Sequence, residues 1–127
     1  YVYLIYGMYH CFNVVTEATG IGSAVLIRAV ALAHLPRDLN PAYASQGNRA
    51  AAGPGKLCRT LDIDRHHSGL PLVPQHRLWL EHRTAEFQQQ LDQGRHTLTQ
   101  TTRVGITIAV ERPWRWYLSG HPSVSKR

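Results

Sequence analysis

Lysine is almost missing from this chain: Lys56 and Lys126 are the only two in 127 residues. The formal charge of +6 at pH 7, from 14 basic and 8 acidic side chains, therefore rests on arginine. Guanidinium forks suit phosphate oxygens, so the composition fits a nucleic-acid partner bound with salt-sensitive affinity. Cysteine is equally scarce. Cys11 and Cys58 fall in different predicted elements, which excludes a disulfide-rich framework and a C-x-x-C motif. Packed thiols in a reducing, cytoplasmic setting are expected. Eight histidines are spread along the chain without an H-E-x-x-H pair, and neither a metal nor another cofactor is predicted. No apolar run approaches the roughly 20 residues a membrane helix needs, so no membrane partner is expected. Neither an internal repeat nor a second domain is evident.

What the chain has in quantity at its start is tyrosine. Residues 1–13 read Y-V-Y-L-I-Y-G-M-Y-H-C-F-N, a β-forming run that turns over at Gly7 and Met8. At strand period Tyr1, Tyr3 and Ile5 share one face and Val2, Leu4 and Tyr6 the other. Both faces thus carry rings whose hydroxyls need partners if buried. A second strand is predicted from Phe12 to Val15, and a third over residues 24–30 after the Gly20-Ile21-Gly22-Ser23 turn. Three strands in a meander follow. The aromatic tip can be a wedge exposed to a partner or the cap of an ordinary core, and the pattern alone admits both.

Arg28 interrupts the apolar run A-V-L-I-R-A-V. A guanidinium there is costly unless an anion or a strong acceptor faces it, which suggests a pocket wall. Asn13, a lone amide between Phe12 and Val14, can offer a donor and an acceptor to a flat polar ligand. Tyrosine faces, an amide and an arginine together describe a nucleobase site. The G-P-G-K segment is not a P-loop, because Ala50 stands where Walker A needs glycine and Leu57 where it needs serine or threonine. A helix starting near Pro54 fits better, and helix N-termini can bind phosphate.

Further along, residues 31–52 carry Pro36 and Pro41 and read as a helix or loop excursion. Residues 78–81 look like a short strand, and residues 85–94, rich in glutamine, like a surface loop or helical turn. Residues 103–110 and 114–118 read as two more strands joined by E-R-P. The alternation of Trp114, Trp116 and Tyr117 predicts core packing for this second aromatic cluster.

The order Y-V-Y-L-I-Y-G-M-Y-x-C-x-N, A-V-L-I-R-A, G-P-G-K-L-C, R-V-G-I and P-W-R-W-Y-L-S-G-H-P-x-V-S resembles the alkyladenine (3-methyladenine) DNA glycosylase family, from Tyr1 to Ser125. Two stretches match poorly, between Val30 and Ala52 and between Gln75 and Thr102. The first has V-A-L-A-H where the family often has an acidic E-P-x-E-G. The resemblance implies an α+β fold: one domain on a curved, largely antiparallel β-sheet with flanking helices, of which residues 1–127 would be the C-terminal portion. It implies a monofunctional DNA repair enzyme that flips alkylated or deaminated purines out of the stack and hydrolyses their N-glycosidic bonds. Lyase chemistry would need an amine, and neither lysine falls at the implied pocket.

Residue by residue, Tyr6 resembles the family's intercalating tyrosine, with Met8 and Tyr9 against the DNA beside it. Tyr3 matches the stacking tyrosine of the base pocket, Asn13 the amide that discriminates against the guanine amino group, and Leu26 an apolar wall. Arg28 matches the arginine beside the attacking water and the Val104 carbonyl a ligand of that water. Gly105, Lys56 and Arg65 fall at DNA contacts. The implied partner is double-stranded DNA containing damaged purines, bound by a monomer, in a bacterial nucleoid or a eukaryotic nucleus. One departure is central. The family's general-base glutamate lies upstream of the tyrosine strand, in a segment reading like E-T-E-A-Y, and none of Glu17, Glu81, Glu86 and Glu111 occupies a matching place. The chain as given is therefore expected to hold most of the pocket without the catalytic base and to be inactive alone. The alternative is a non-catalytic DNA-binding module with an intercalating aromatic hairpin. An RNA-binding domain with exposed aromatics fits the charge but leaves the other motifs unexplained.

Overall fold

A computed structural model describes residues 1–124. The element order is β1 (Val2–Ile5), β2 (Tyr9–Val15), β3 (Ala24–Leu26), α1 (Pro41–Ala44), α2 (Pro54–Thr60), α3 (Ala85–Asp92), β4 (Leu98–Thr101) and β5 (Arg115–Leu118), with 3₁₀ turns at Gly47–Arg49 and Arg65–His67. This is an α+β arrangement whose strand pairs are all antiparallel. The strands form two sheets, a β1-β2-β3 meander and a β4-β5 ribbon.

The meander forms because each turn supplies the conformation a tight reversal needs. Val2 pairs with Phe12 and Ile5 with Tyr9, while Asn13 pairs with Leu26 and Val15 with Ala24. The third strand is shorter than residues 24–30. Ile27 still donates to the Phe12 carbonyl at 3.0 Å, but Ala29 then bridges Ala52 and Val30 donates to the Ala51 carbonyl. The chain leaves the sheet to reach the segment before α2.

That segment is the centre of the core. Ala50, Ala51 and Ala52 are buried, small enough to bring the chain close to α2. Val2, Ala51, Leu57, Cys58 and Ile63 pack together, with Phe12, Ile27, Val30 and Leu78 against them. Thr60 is buried too, and its hydroxyl donates to the Ala50 carbonyl at 2.7 Å, which satisfies a group that would otherwise be costly to bury. Helix α2 begins at Pro54 as its sequence predicts, where a missing N–H loses nothing. The Arg59 guanidinium lies 3.6 Å from the Tyr43 ring centroid and ties α1 to α2.

Downstream, four expectations change. Residues 78–81 make no strand: among the described residues their backbone has no hydrogen-bonded neighbour, and the Trp79 indole instead donates to the Glu81 carboxylate at 2.7 Å. Residues 103–110 are a looped excursion, because Gly105 and Ala109 both adopt left-handed backbone and Arg103 folds back to donate to the carbonyls of Ile108 and Ala109. The partner of β5 is β4, a polar L-T-Q-T stretch. Finally, Trp114 and Trp116 are 60% and 58% exposed, so the alternation does not reflect core packing. Residues 85–92 form a full helix, capped by the Thr84 hydroxyl, which accepts from the Phe87 N–H at 3.2 Å.

Candidate nucleic-acid interface

The β1–β2 turn is built at a conformational cost. Tyr6 and Gly7 have φ of 53° and 70°, and the Met8 N–H donates to the Ile5 carbonyl at 3.2 Å. Positive φ at both central positions is the pattern of a type I′ turn, whose strand-matching twist ordinarily selects Asn-Gly. Gly7 adopts it freely, whereas a tyrosine in left-handed backbone costs roughly 1–2 kcal/mol. The return is presentation: Tyr6 is 84% exposed, and Met8 and Tyr9 are exposed beside it. Helix α2 braces this tip. A Cβ on Gly55 would lie 3.1 Å from the Tyr9 ring, so glycine lets the helix start seat directly on that ring. Lys56, next to it, donates to the Gln46 side chain at 2.7 Å. Gln46 is a support that no motif flagged, and Gly55 of the G-P-G-K segment has its packing role here.

Strand register brings three of the expected pocket residues together. Tyr3 faces Cys11 across β1–β2, and Leu26 faces Asn13 across β2–β3. Cys11 and Asn13 are two apart on β2, so all four share one sheet face. Tyr3 stacks on Tyr1 at 5.5 Å between ring centroids. Burial pushes the Tyr3 hydroxyl pKa up, helped by Cys11 and Tyr1 and opposed by the charge of Arg28. Arg28, two residues past the end of β3, is near enough to Tyr3 for its charge to act on the phenol. Asn13 is 8% exposed, and its amide donates to the carbonyls of Tyr1 and Cys11 at 3.2 and 3.3 Å. Both donors are therefore spent on backbone, and only its carbonyl oxygen remains for a ligand.

A cleft of about 620 Å³ opens beside this face. Tyr1 and the β2 residues from Phe12 to Val15 form one wall, and residues 67–72 with 76–78 and Leu80 the other. Of the expected pocket residues only Asn13 lines it. Tyr3 and Leu26 stand on the sheet outside it, and Arg28 lies just past the end of β3. Arg28 is exposed, and among the described residues no carboxylate pairs with it.

Acidic groups are engaged elsewhere. Asp64 accepts from the His66 N–H at 2.9 Å and sits against the rings of His66 and His67. Its pKa falls to about 2, chiefly through the His66 side chain. The turn it caps carries the exposed Arg65 and is tied to β1 by the Val2 N–H, which donates to the Ser68 hydroxyl at 3.2 Å. Val104 and Gly105 lie in the loop after β4. Among the described residues no hydrogen bond joins that loop to the three-stranded sheet. No group of three histidine, cysteine, aspartate or glutamate side chains there could hold a metal, and no helix is long and apolar enough to cross a membrane.

An aromatic hairpin tip beside a face with Tyr3, Asn13, Leu26 and Arg28 can be compared with known proteins. Residues 1–122 match the methylpurine-DNA glycosylase family. The chain belongs to that family. Three cyanobacterial relatives each carry the name "Putative 3-methyladenine DNA glycosylase". The Synechococcus sp. (strain JA-3-3Ab) protein is 50% identical over 129 residues, covering 98% of this chain and 63% of the relative. For Trichodesmium erythraeum the identity is 47%, over 99% of this chain and 63% of the relative. For Synechococcus elongatus it is 46%, over 100% and 56%. The chain thus spans about three fifths of the length of these methylpurine-DNA glycosylase relatives, and each has a portion with no counterpart among these 127 residues.

Proposed function

We propose that this chain is part of a monofunctional DNA glycosylase that hydrolyses the N-glycosidic bond of alkylated or deaminated purines in duplex DNA, and that it carries the wedge and most of the base pocket. The observation that carries the reading is the strained, exposed Tyr6 at a braced hairpin tip, next to a face combining Tyr3, Asn13, Leu26 and the charge of Arg28. Exposing an aromatic ring in a costly backbone conformation makes sense where the ring fills the gap left by a flipped nucleotide. Met8 and Tyr9 then rest on the duplex, and Lys56, Arg65 and Gly105 approach its backbone.

In this reading the flipped purine lies on Tyr3, bounded by Leu26 and by the Asn13 carbonyl oxygen. The bond between the anomeric carbon and the base nitrogen breaks, and positive charge develops on the sugar. Water adds to that carbon and gives up a proton to a carboxylate. Arg28 and the Val104 carbonyl orient this water. In this reading the carboxylate is the family's glutamate from outside these 127 residues, since none of Glu17, Glu81, Glu86 and Glu111 stands at its place relative to the tyrosine strand. The enzyme would work as a monomer on chromosomal DNA.

The test is alkaline strand cleavage of a duplex with one hypoxanthine or ethenoadenine. This chain is compared with the same chain joined to the unmatched portion of the Synechococcus relative. Base release by the joined protein alone is expected, with loss on Arg28→Ala. Release by the 127-residue chain itself would refute the external carboxylate. Tight duplex binding with no release by either form would favour a DNA-binding module that does no chemistry.

A further inference from the structure

The β4–β5 ribbon leaves one face uncovered. Gln100 faces Trp116 and Leu98 faces Leu118, so Trp116, Leu98 and Leu118 share a side, with Trp114 two residues upstream. The indoles of Trp114 and Trp116 are more than half exposed, as is Leu98. Guanidinium groups lie on this surface: Arg112 is 4.6 Å and Arg103 5.5 Å from the Trp114 ring centroid. Trp116 makes no ring contact among the described residues. Residues 95–115 contain Arg95, Arg103, Arg112 and Arg115, with Glu111 as their one carboxylate.

The charge pattern selects the partner. Arginine outnumbers acidic residues four to one over residues 95–115, and two of these guanidinium groups lie against the neighbouring indole of Trp114. Open indole faces beside arginines fit a polyanion that carries flat rings. Bases inside a duplex are covered by their neighbours, so an uncovered indole can stack only on unpaired ones. We propose that the β4–β5 ribbon is a docking platform for single-stranded DNA, with Trp116 as the stacking surface and the exposed Arg112 as a phosphate contact. Trp116 belongs to the β4–β5 ribbon and not to the three-stranded sheet that carries Tyr3, Asn13 and Leu26, and its stacking does not depend on the glycosylase reading.

In a Trp79→Phe protein both remaining tryptophans belong to this ribbon, so their fluorescence reports on it directly. Titration with oligothymidylate of roughly 16 nucleotides should quench that fluorescence. Trp116→Ala should weaken oligonucleotide binding about tenfold and leave binding to a duplex of equal length unchanged. Arg112→Gln should lower the slope of log affinity against log salt by about one. Binding of the oligonucleotide without any quenching would overturn the proposal, and this arm stands even if Trp116→Ala fails to fold. Unchanged binding by a folded Trp116→Ala protein would overturn it too. If that variant instead turns a sedimenting dimer into a monomer with oligonucleotide affinity intact, the face holds a second copy and the proposal falls.

Discussion

Two antiparallel strand pairs in this molecule each carry aromatic residues and end in opposite states. The β1–β2 hairpin is packed on a helix: Val2 is buried, Phe12 touches the core, and Tyr9 rests on Gly55. Only its tip is open. Among the described residues no helix makes more than a marginal contact with the β4–β5 ribbon, and its tryptophans are more exposed than Thr99 and Tyr117 on the other side. Its ties are local, such as the Thr99–Ser119 hydroxyl pair and the Ser119 N–H to the Thr97 carbonyl. The Ser123 hydroxyl, donating to the Asn48 carbonyl at 2.8 Å, links the following tail to the rest. Periodicity decides which side chains lie together on a strand; whether that side is covered depends on what else packs there.

The widest gap between the two regions is expected in stability. Leu57 is almost fully buried at the centre of the core, and Leu57→Ala should cost about 2–5 kcal/mol in urea unfolding. Leu98→Ala, on the open side of the ribbon, should stay within about 0.5 kcal/mol. Equal losses would mean that the ribbon is as consolidated as the sheet, and the contrast drawn above would collapse.

The brace under the tip is the next lever. Gly55→Ala improves helix propensity by up to about 1 kcal/mol, but the new Cβ would press on the Tyr9 ring at 3.1–3.2 Å. A net loss of about 1 kcal/mol is expected, with weaker binding to lesion-containing duplex. A gain in melting temperature with binding intact would show that the helix does not clamp the hairpin.

Tyr6 sharpens the comparison in the other direction. Its left-handed backbone suits asparagine better, so Tyr6→Asn should stabilise the fold by roughly 1 kcal/mol while reducing affinity for a lesion-containing duplex. Stability and binding moving apart in this way is the signature of strain kept for function. If both fall together, the ring is instead packing on its own protein.

These contrasts mark what could be read in the chain. The meander followed from glycine turns and alternation, and α2 from Pro54. The strand partner β4 was hidden because L-T-Q-T carries no apolar alternation and its pairing with β5 spans a long loop. Residues 103–110 have the β-branched composition of a strand, yet left-handed Gly105 and Ala109 deny them one. The helix at Ala85–Asp92 had its signal in Thr84, an N-cap three residues before the amide it accepts from. At the site, Arg28 stood out as a charge in an apolar run, and register then placed Tyr3, Asn13 and Leu26 on one face. That both Asn13 donors go to backbone could not be read, since it depends on where the Tyr1 and Cys11 carbonyls lie.

The smallest expected effect separates the regions by pH. Asp64 caps the turn tied to β1 and has a pKa lowered from 3.8 to about 2. A lowered folded-state pKa means that its contribution is present above about pH 4 and lost as pH falls through 3.8 towards 2. Asp64→Asn keeps an oxygen to accept from the His66 N–H but removes the charge. The melting temperature of the unaltered protein should therefore fall more steeply between pH 4 and 2 than that of Asp64→Asn. The ribbon's acid–base pair, Glu111 and Arg112 at 3.8 Å, is solvent-exposed and worth little, so Glu111→Gln should leave the acid slope of melting unchanged. Parallel slopes for the unaltered and Asp64→Asn proteins would remove Asp64 from the account, and a flattened slope in Glu111→Gln would put acid-sensitive stability in the ribbon instead.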